Sequence, residues 1–195
     1  MLDAAVSVLV TRLDAHLRQR FGSPDSMVVQ SMLTDGEGKP VAETRNRLAL
    51  FVTNISQDTI PRKGAIPHVS AAGIGATQQP PVHLNIYFMI AAGFDADNYS
   101  DALKVLTASV EFFQAFPLLT PSNTPEMPAG LSQLSIEISN LEMDTLSQLW
   151  GAFGGRYVPS VHYKMRSVAI DSTTIVSETP LVSQPERALA PGGGS

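Results

Sequence analysis

The chain has 195 residues, of which 44% are hydrophobic and 16% are charged. This length supports one sizeable core, so a single main domain is expected. The formal charge is −5 and no run of Lys or Arg occurs, which argues against a phosphate-binding surface and against nucleic acid as a partner. The charged fraction lies below the roughly 25% usual for soluble domains, which suggests that partners cover part of the surface.

Cysteine is absent, which excludes disulfides, thiolate nucleophiles and cysteine-based metal sites. The apolar start of the chain is interpreted as a helix rather than a signal peptide, because Asp3 stands in place of a basic n-region and Arg12 follows soon after. No segment approaches the ~18 consecutive apolar residues of a membrane-spanning helix. We therefore expect no membrane span.

The first predicted elements are an amphipathic helix over Leu2–Phe21 and two strands. The apolar positions of the helix recur at steps of three and four, at Val6, Leu9, Val10, Leu13, Leu17 and Phe21. A short strand is predicted over Met27–Leu33, followed by a turn at residues 35–38. Arg47–Ile55 predicts a second strand, with both of its faces partly covered.

A long segment, Ser56–Pro81, follows the second strand and is rich in Pro, Gly, Ala and Gln. Connections of this length in compact domains are typically functional or disordered, so a partner contact is expected there first. Arg62 and Lys63 beside it either pair with acidic groups on another subunit or are simply solvated.

The middle of the chain predicts a central strand and a second helix. Val82–Ala92 begins with alternation and ends continuously apolar, which is typical of a strand covered on both faces. A helix over Tyr99–Phe116 is predicted to be capped by Asn98 or Ser100 and stopped by Pro117. Its predicted core stripe contains Leu103, Leu106, Val110 and Phe113.

The last third predicts a loop, two strands and a short helix. Leu118–Gly130 is proline-rich and predicts a loop, and Leu131–Ile138 alternates as a strand whose core face is Leu134, Ile136 and Ile138. A capping box of Ser139 and Glu142 is predicted to open the helix. The apolar positions of that helix are Met143, Leu146, Leu149 and Trp150. A final strand over Val158–Ile170 alternates apolar residues with His162, Lys164 and Arg166, which predicts a solvent or partner face.

Two regions result: a main α/β domain over residues 1–171 and an extended tail over residues 172–195, which contains Pro180, Pro185 and Pro191 and ends in Gly-Gly-Gly-Ser. The apolar residues of the tail are expected to add a short strand to this sheet or to that of a neighbour. The predicted fold class is α+β, with a mixed, mainly antiparallel sheet packed by about three helices.

The sequence carries no recognisable catalytic or cofactor signature. The histidines, at positions 16, 68, 83 and 162, lack the spacing that would aim two imidazoles at one metal ion. Gly73 and Gly75 form only half of a dinucleotide fingerprint, and helix capping explains Asp95, Asp97 and Asp101 better than a calcium site does. The interpretation is a non-enzymatic protein that needs no cofactor.

Several core patterns occur along the chain in an order that resembles one known family. They are Asn46–Val52, Pro80–Phe88, Leu103–Leu106, Phe116–Leu119, Leu146–Trp150 and Tyr157–Arg166. This order, which covers roughly residues 2–171, resembles the family once catalogued as DUF4255, the Pvc16 N-terminal-domain family. Its members are tail terminator (cap) proteins of extracellular phage-tail-like contractile injection systems.

The resemblance implies a structural subunit that forms a six-membered ring on the last layer of an inner tube and contacts the contractile sheath. Assembly in the cytoplasm is implied, in a particle that is either released or tethered to a membrane. The long segment and the tail are then predicted to supply contacts to neighbouring subunits, tube or sheath, through Ile60, Arg62, Lys63, Ile74, Ile175, Val176, Leu181 and Val182.

Two other interpretations stay open from the sequence. One is a phage-like head-to-tail connector or baseplate component, which differs only in its position along the particle. The other is a small enzyme or ligand-binding domain that uses the long segment as a lid, which would require a concave pocket with convergent polar groups.

Overall fold

A computed structural model describes residues 1–58, 82–154 and 156–166 with their side chains. For residues 167–170, 68–69, 74–78 and 175–180 it describes the strand backbone. The chain divides into two compact units, one formed by Met1–Ile60 with Val82–Ile170 and the other by Pro61–Pro81 with Asp171–Ser195.

The described part of the first unit contains three helices and six strands. The helices are α1 (Leu2–Phe21), α2 (Tyr99–Ala115) and α3 (Met143–Ala152). Its strands are β1 (Val28–Gln30), β2 (Leu48–Gln57), β5 (Val82–Ala92), β6 (Leu118–Leu119), β7 (Leu134–Ile138) and β8 (Ser160–Ile170). The second unit contains β3 (His68–Val69), β4 (Ile74–Gln78) and β9 (Ile175–Pro180).

The six strands of the first unit form one mixed sheet in the order β1-β2-β5-β8-β7-β6. β1 runs parallel to β2, and every other neighbouring pair is antiparallel. A bulge between Val52 and Asn54 interrupts the pairing of β2 with β5. The second unit is an antiparallel sheet in the order β3-β4-β9. The predicted α+β class with a mixed, mainly antiparallel sheet is confirmed.

One face of the six-stranded sheet is covered by α1 and α2. Leu9, Leu13 and Leu17 of α1 are fully buried, because their spacing puts them on one side of the helix. Alternate residues of the strands meet them from below, including Leu50 in β2 and Phe88 in β5. This larger part of the core also joins α1 to α2.

Of the three α-helices, α3 covers the opposite face of the sheet. Ala49 and Phe51 of β2 point to this side, and so do Met89 and Ala91 of β5. Trp150 packs over them and is 4% exposed. Both faces of the central strands are therefore apolar, as the continuous hydrophobic runs predicted.

The connection between β1 and β2 has to cross the sheet, because parallel neighbours need a long return segment. Its turn is held by Asp35, whose carboxylate accepts the N–H groups of Glu37 and Lys39 at 2.9 and 2.8 Å. Leu33 then packs against the core beneath α3. This crossover, residues 31–47, forms one wall of a concavity of the first unit that is described below.

Several predictions about local structure are wrong. Leu118 and Leu119 are not loop, because they pair with β7 as a short edge strand. Ile138 of β7 and Leu103 of α2 are 51% and 41% exposed, so neither belongs to the core. Glu142 is the N-cap residue of α3 and no side chain caps this helix, so the predicted box with Ser139 does not form.

Helix capping and loop length also differ from expectation at three further places. Asn98 is the N-cap of α2, but its side chain bonds Asn46 instead of the helix backbone. β2 extends to Gln57, and β3 and β4 lie within the segment that was expected to be a connection.

Candidate interaction surfaces

The interface residues predicted from the sequence fall where side chains are not described. Ile60, Arg62, Lys63, Leu181 and Val182 lie outside the described residues. Ile74 is in β4 and Ile175 and Val176 are in β9, and these two strands pair with each other. Their role as contact residues stays a prediction.

One concave surface of the first unit lies at the C-terminal end of α3. This α3 pocket has a volume of about 270 Å³. It is lined by Leu33, Thr34, Pro40, Val41, Ala42, Thr44, Arg45, Gly93, Phe94, Asp95, Trp150, Phe153, Arg156 and Val158. The crossover supplies one wall, and the indole of Trp150 and the ring of Phe153 belong to the apolar lining.

Charged groups of both signs line the α3 pocket. The guanidinium of Arg45 donates to the carboxylate of Asp95 at 2.9 Å, and both side chains are largely exposed. Arg156 is also exposed, and no ion pair or hydrogen bond of its side chain occurs among the described residues. The balance of these three groups is one positive charge, carried by Arg156.

A second concavity, the α3 groove, runs along the outer side of the same helix. Its lining is Met143, Leu146, Ser147, Trp150, Gly151 and Tyr157. Met143 is 76% exposed and Tyr157 is 62% exposed, although both are large and apolar. Trp150 contributes to both the pocket and the groove, and its ring meets Tyr157 edge-on at 5.6 Å. Exposed apolar surface of this kind is typical of protein contacts.

The polar face of β8 lies beyond α3 on the same side of the sheet. His162 stacks on Tyr87 at 5.9 Å and shares a 2.9 Å hydrogen bond with Thr53, while Lys164 lies over the ring of Tyr87. Burial lowers the pKa of His162, because it disfavours the charged imidazolium. Arg166 bonds Glu137 at 2.6 Å. The expected polar face is present, and it is half-buried.

The described residues hold no group of three or more His, Asp or Glu side chains arranged for a metal ion. Asp95 is engaged with Arg45, and Asp101 bonds Lys104 at 2.8 Å. His16 packs against the ring of Phe112 on the α1 side of the sheet. Among the described helices, none has the length and apolar character needed to cross a bilayer.

Sequence reasoning missed the exposed side of α3. Met143 lies seven residues before Trp150, so helical periodicity assigned both to the core. Arg156 and Tyr157 follow the helix, where neither helical nor strand periodicity indicated a contact surface. The position of Met143 between Glu142 and Asp144 could have indicated its exposure, because charges on both sides favour an exposed first turn of the helix.

The described fold is that of proteins that terminate tubes. It matches a sheath/tube terminator, in the extended state, of an extracellular contractile injection system known as PVC, with a TM-score of 0.60 at 13% identity over 96% of this chain and 64% of that chain. It also matches the tube terminating cap of the anti-feeding prophage AFP, with a TM-score of 0.54 at 14% identity over 94% of this chain and 59% of that chain.

A family model gives the assignment a sequence basis. The Pvc16 N-terminal domain model matches residues 4–184, and the chain belongs to this family. The resemblance stated from the sequence is confirmed. The chain spans less than two thirds of the length of either terminator that it matches. No curated protein matches the sequence.

Proposed function

We propose that this protein is a cap, or tail terminator, of a contractile injection system. In this role it forms a ring, with six subunits as the expected number, that ends the inner tube and contacts the sheath. The observation that carries the proposal is the match to the Pvc16 N-terminal domain over residues 4–184. The shared fold with two tube-terminating proteins supports it.

A structural role without catalysis or cofactor is part of this proposal. The α3 pocket has a volume of about 270 Å³, near the lower limit of the roughly 300–1,000 Å³ that ligand sites usually have. Its polar groups include Arg45 and Asp95, which are already paired with each other. A pocket of this kind suits a side chain of a partner protein better than a substrate.

The proposal also assigns roles to two regions of the chain. Residues 1–171 form the terminator-like domain and residues 172–195 form the tail, which with the segment 56–81 provides contacts to neighbouring subunits, tube or sheath. Assembly takes place in the cytoplasm, and the finished particle is released or tethered to a membrane.

The test is the mass of the purified protein in solution, measured by light scattering with and without its co-encoded tube protein. A closed oligomer, alone or on addition of tube, is expected. Electron microscopy should then show the protein at one end of each tube, and tubes assembled in its presence should stop growing. A monomer that is indifferent to tube would contradict the proposal.

A further inference from the structure

The N-terminal end of α3 carries an exposed apolar residue between two acids. Met143 is 76% exposed, and Glu142 and Asp144 on either side are also exposed. No ion pair of these two carboxylates occurs in the described part of the chain. This arrangement, the Met143 knob, presents one flexible apolar side chain with two negative charges.

The α3 pocket has the complementary properties. Its lining includes the rings of Phe94, Trp150 and Phe153, against which a thioether packs favourably. The unbranched side chain of a methionine adapts to an irregular apolar gap better than a branched one. Arg156 supplies an unpaired positive charge at the same place. Knob and pocket therefore match in both apolar character and charge.

The knob and the pocket lie at opposite ends of one helix. α3 has ten residues, so its two ends are ~15 Å apart. A contact that joins the beginning of α3 in one molecule to the end of α3 in the next uses two different surfaces. Such head-to-tail contacts close into rings when the rotation between subunits permits.

From these observations we infer that the occupant of the α3 pocket is the Met143 knob of a second copy of this chain. Glu142 and Asp144 of that copy face Arg156, and the exposed ring of Tyr157 beside Trp150 widens the apolar contact. The ring-forming part of this inference rests on the proposed cap function. It assigns one contact between subunits to described residues of the main domain, in addition to the contacts proposed for the long segment and the tail.

The test is self-association, measured by light scattering over a concentration series, with and without tube protein. Arg156→Glu places like charges together and should weaken association about tenfold or more. Met143→Ser removes most of the buried apolar contact, and a tenfold to hundredfold loss is expected. Asp144→Arg added to Arg156→Glu restores an attractive pair within each contact and should recover most of the association.

Lys104→Glu is the matched control, because it makes the same change in charge on α2, on the other face of the sheet. It should associate like the unmodified protein. Circular dichroism and the fluorescence of Trp150, the single tryptophan of the chain, check that each variant is folded. Arg156→Glu and Met143→Ser proteins that associate as well as the unmodified chain would overturn the inference, as would an unmodified protein that stops at a closed dimer.

Tube binding, measured separately by co-sedimentation, distinguishes the two proposals. Unaltered association of both variants, with tube binding intact, overturns the α3 contact and leaves the cap function standing. If both variants weaken the ring but the unmodified ring does not bind tube, the α3 contact is supported and the cap function is contradicted. An unmodified protein that stays monomeric with and without tube contradicts both.

Discussion

Gly93 lies directly after β5, where the backbone of the crossover approaches closely. A Cβ built on Gly93 would overlap the carbonyl oxygen of Thr44 and lie 3.2 Å from its carbonyl carbon and 3.4 Å from the carbonyl oxygen of Arg47. These are backbone atoms and cannot turn aside as a side chain does. Replacing Gly93 with Ala must therefore push the crossover away from the sheet.

The expected loss of stability can be worked out from the contacts that this movement disturbs. The N–H of Gly93 donates to Arg47 at 2.9 Å, and the N–H of Asn46 donates to the carbonyl of Gly93 at 2.8 Å. Each such bond contributes ~1 kcal/mol, and overpacking costs ~1–3 kcal/mol. A movement of the crossover that breaks these hydrogen bonds also relieves part of the overpacking, so the two costs do not add in full. Gly93→Ala should therefore lower the free energy of unfolding by about 2–4 kcal/mol.

The assay is urea unfolding monitored by the fluorescence of Trp150. This residue lines the α3 pocket, and the crossover forms one wall of that pocket. Gly151→Ala is the matched control, because Gly151 is helical and nothing lies within 4 Å of its added Cβ. This control should stabilise the protein by ~0.5–1 kcal/mol. A Gly93→Ala variant within ~0.5 kcal/mol of the unmodified protein, at an unchanged m-value, would refute the steric reasoning.

Three further predictions concern single buried or strained groups. Burial lowers the pKa of His162, so as pH falls the histidine is protonated in the unfolded chain before it is protonated in the folded protein. Stability should therefore drop below pH ~6.5. His162→Gln should reduce the pH dependence of the thermal unfolding midpoint between pH 7.5 and pH 5. The buried hydroxyl of Tyr163 has no hydrogen-bond partner among the described atoms, so Tyr163→Phe should leave the midpoint unchanged or raise it, and a stability loss above ~1 kcal/mol would contradict this. Asn46 has φ 56° and accepts the N–H of Asp95 at 3.2 Å, so Asn46→Ala should cost ~1–2 kcal/mol in urea unfolding and Asn46→Gly less.

Elements with a continuous local pattern could be predicted from the sequence. The bounds of α1 and β5 agree with prediction, because helical spacing over twenty residues and a long apolar run each specify one conformation. The α+β class followed from the order of these elements. The polar character of one face of β8 also followed, since alternation shows which residues leave the core, but its half-burial did not.

Features set by long-range packing could not be predicted. Nothing local indicates that β1 pairs parallel to β2, or that the crossover meets α3 and encloses a pocket. Met143 fits the helical stripe of Trp150, yet it is 76% exposed whereas Trp150 is buried, a difference that periodicity within the helix does not show. Asp14 of α1 accepts the N–H groups of Met27 and Val28 at 2.7 and 3.0 Å and so anchors β1, and no local pattern indicates this contact.

The edges of the six-stranded sheet restrict how this protein can meet other chains. β1 has three residues and β6 has two, and short edge strands offer little backbone for an added strand. Where β2 continues past β1, the side chain of Asn54 accepts the N–H of Ile55 at 2.9 Å, which occupies one backbone donor of this strand. Along these edges, unassembled molecules should resist stacking into fibres. At these edges, other chains must be recognised through side chains rather than through backbone pairing. Side chains can change by substitution while the backbone stays the same.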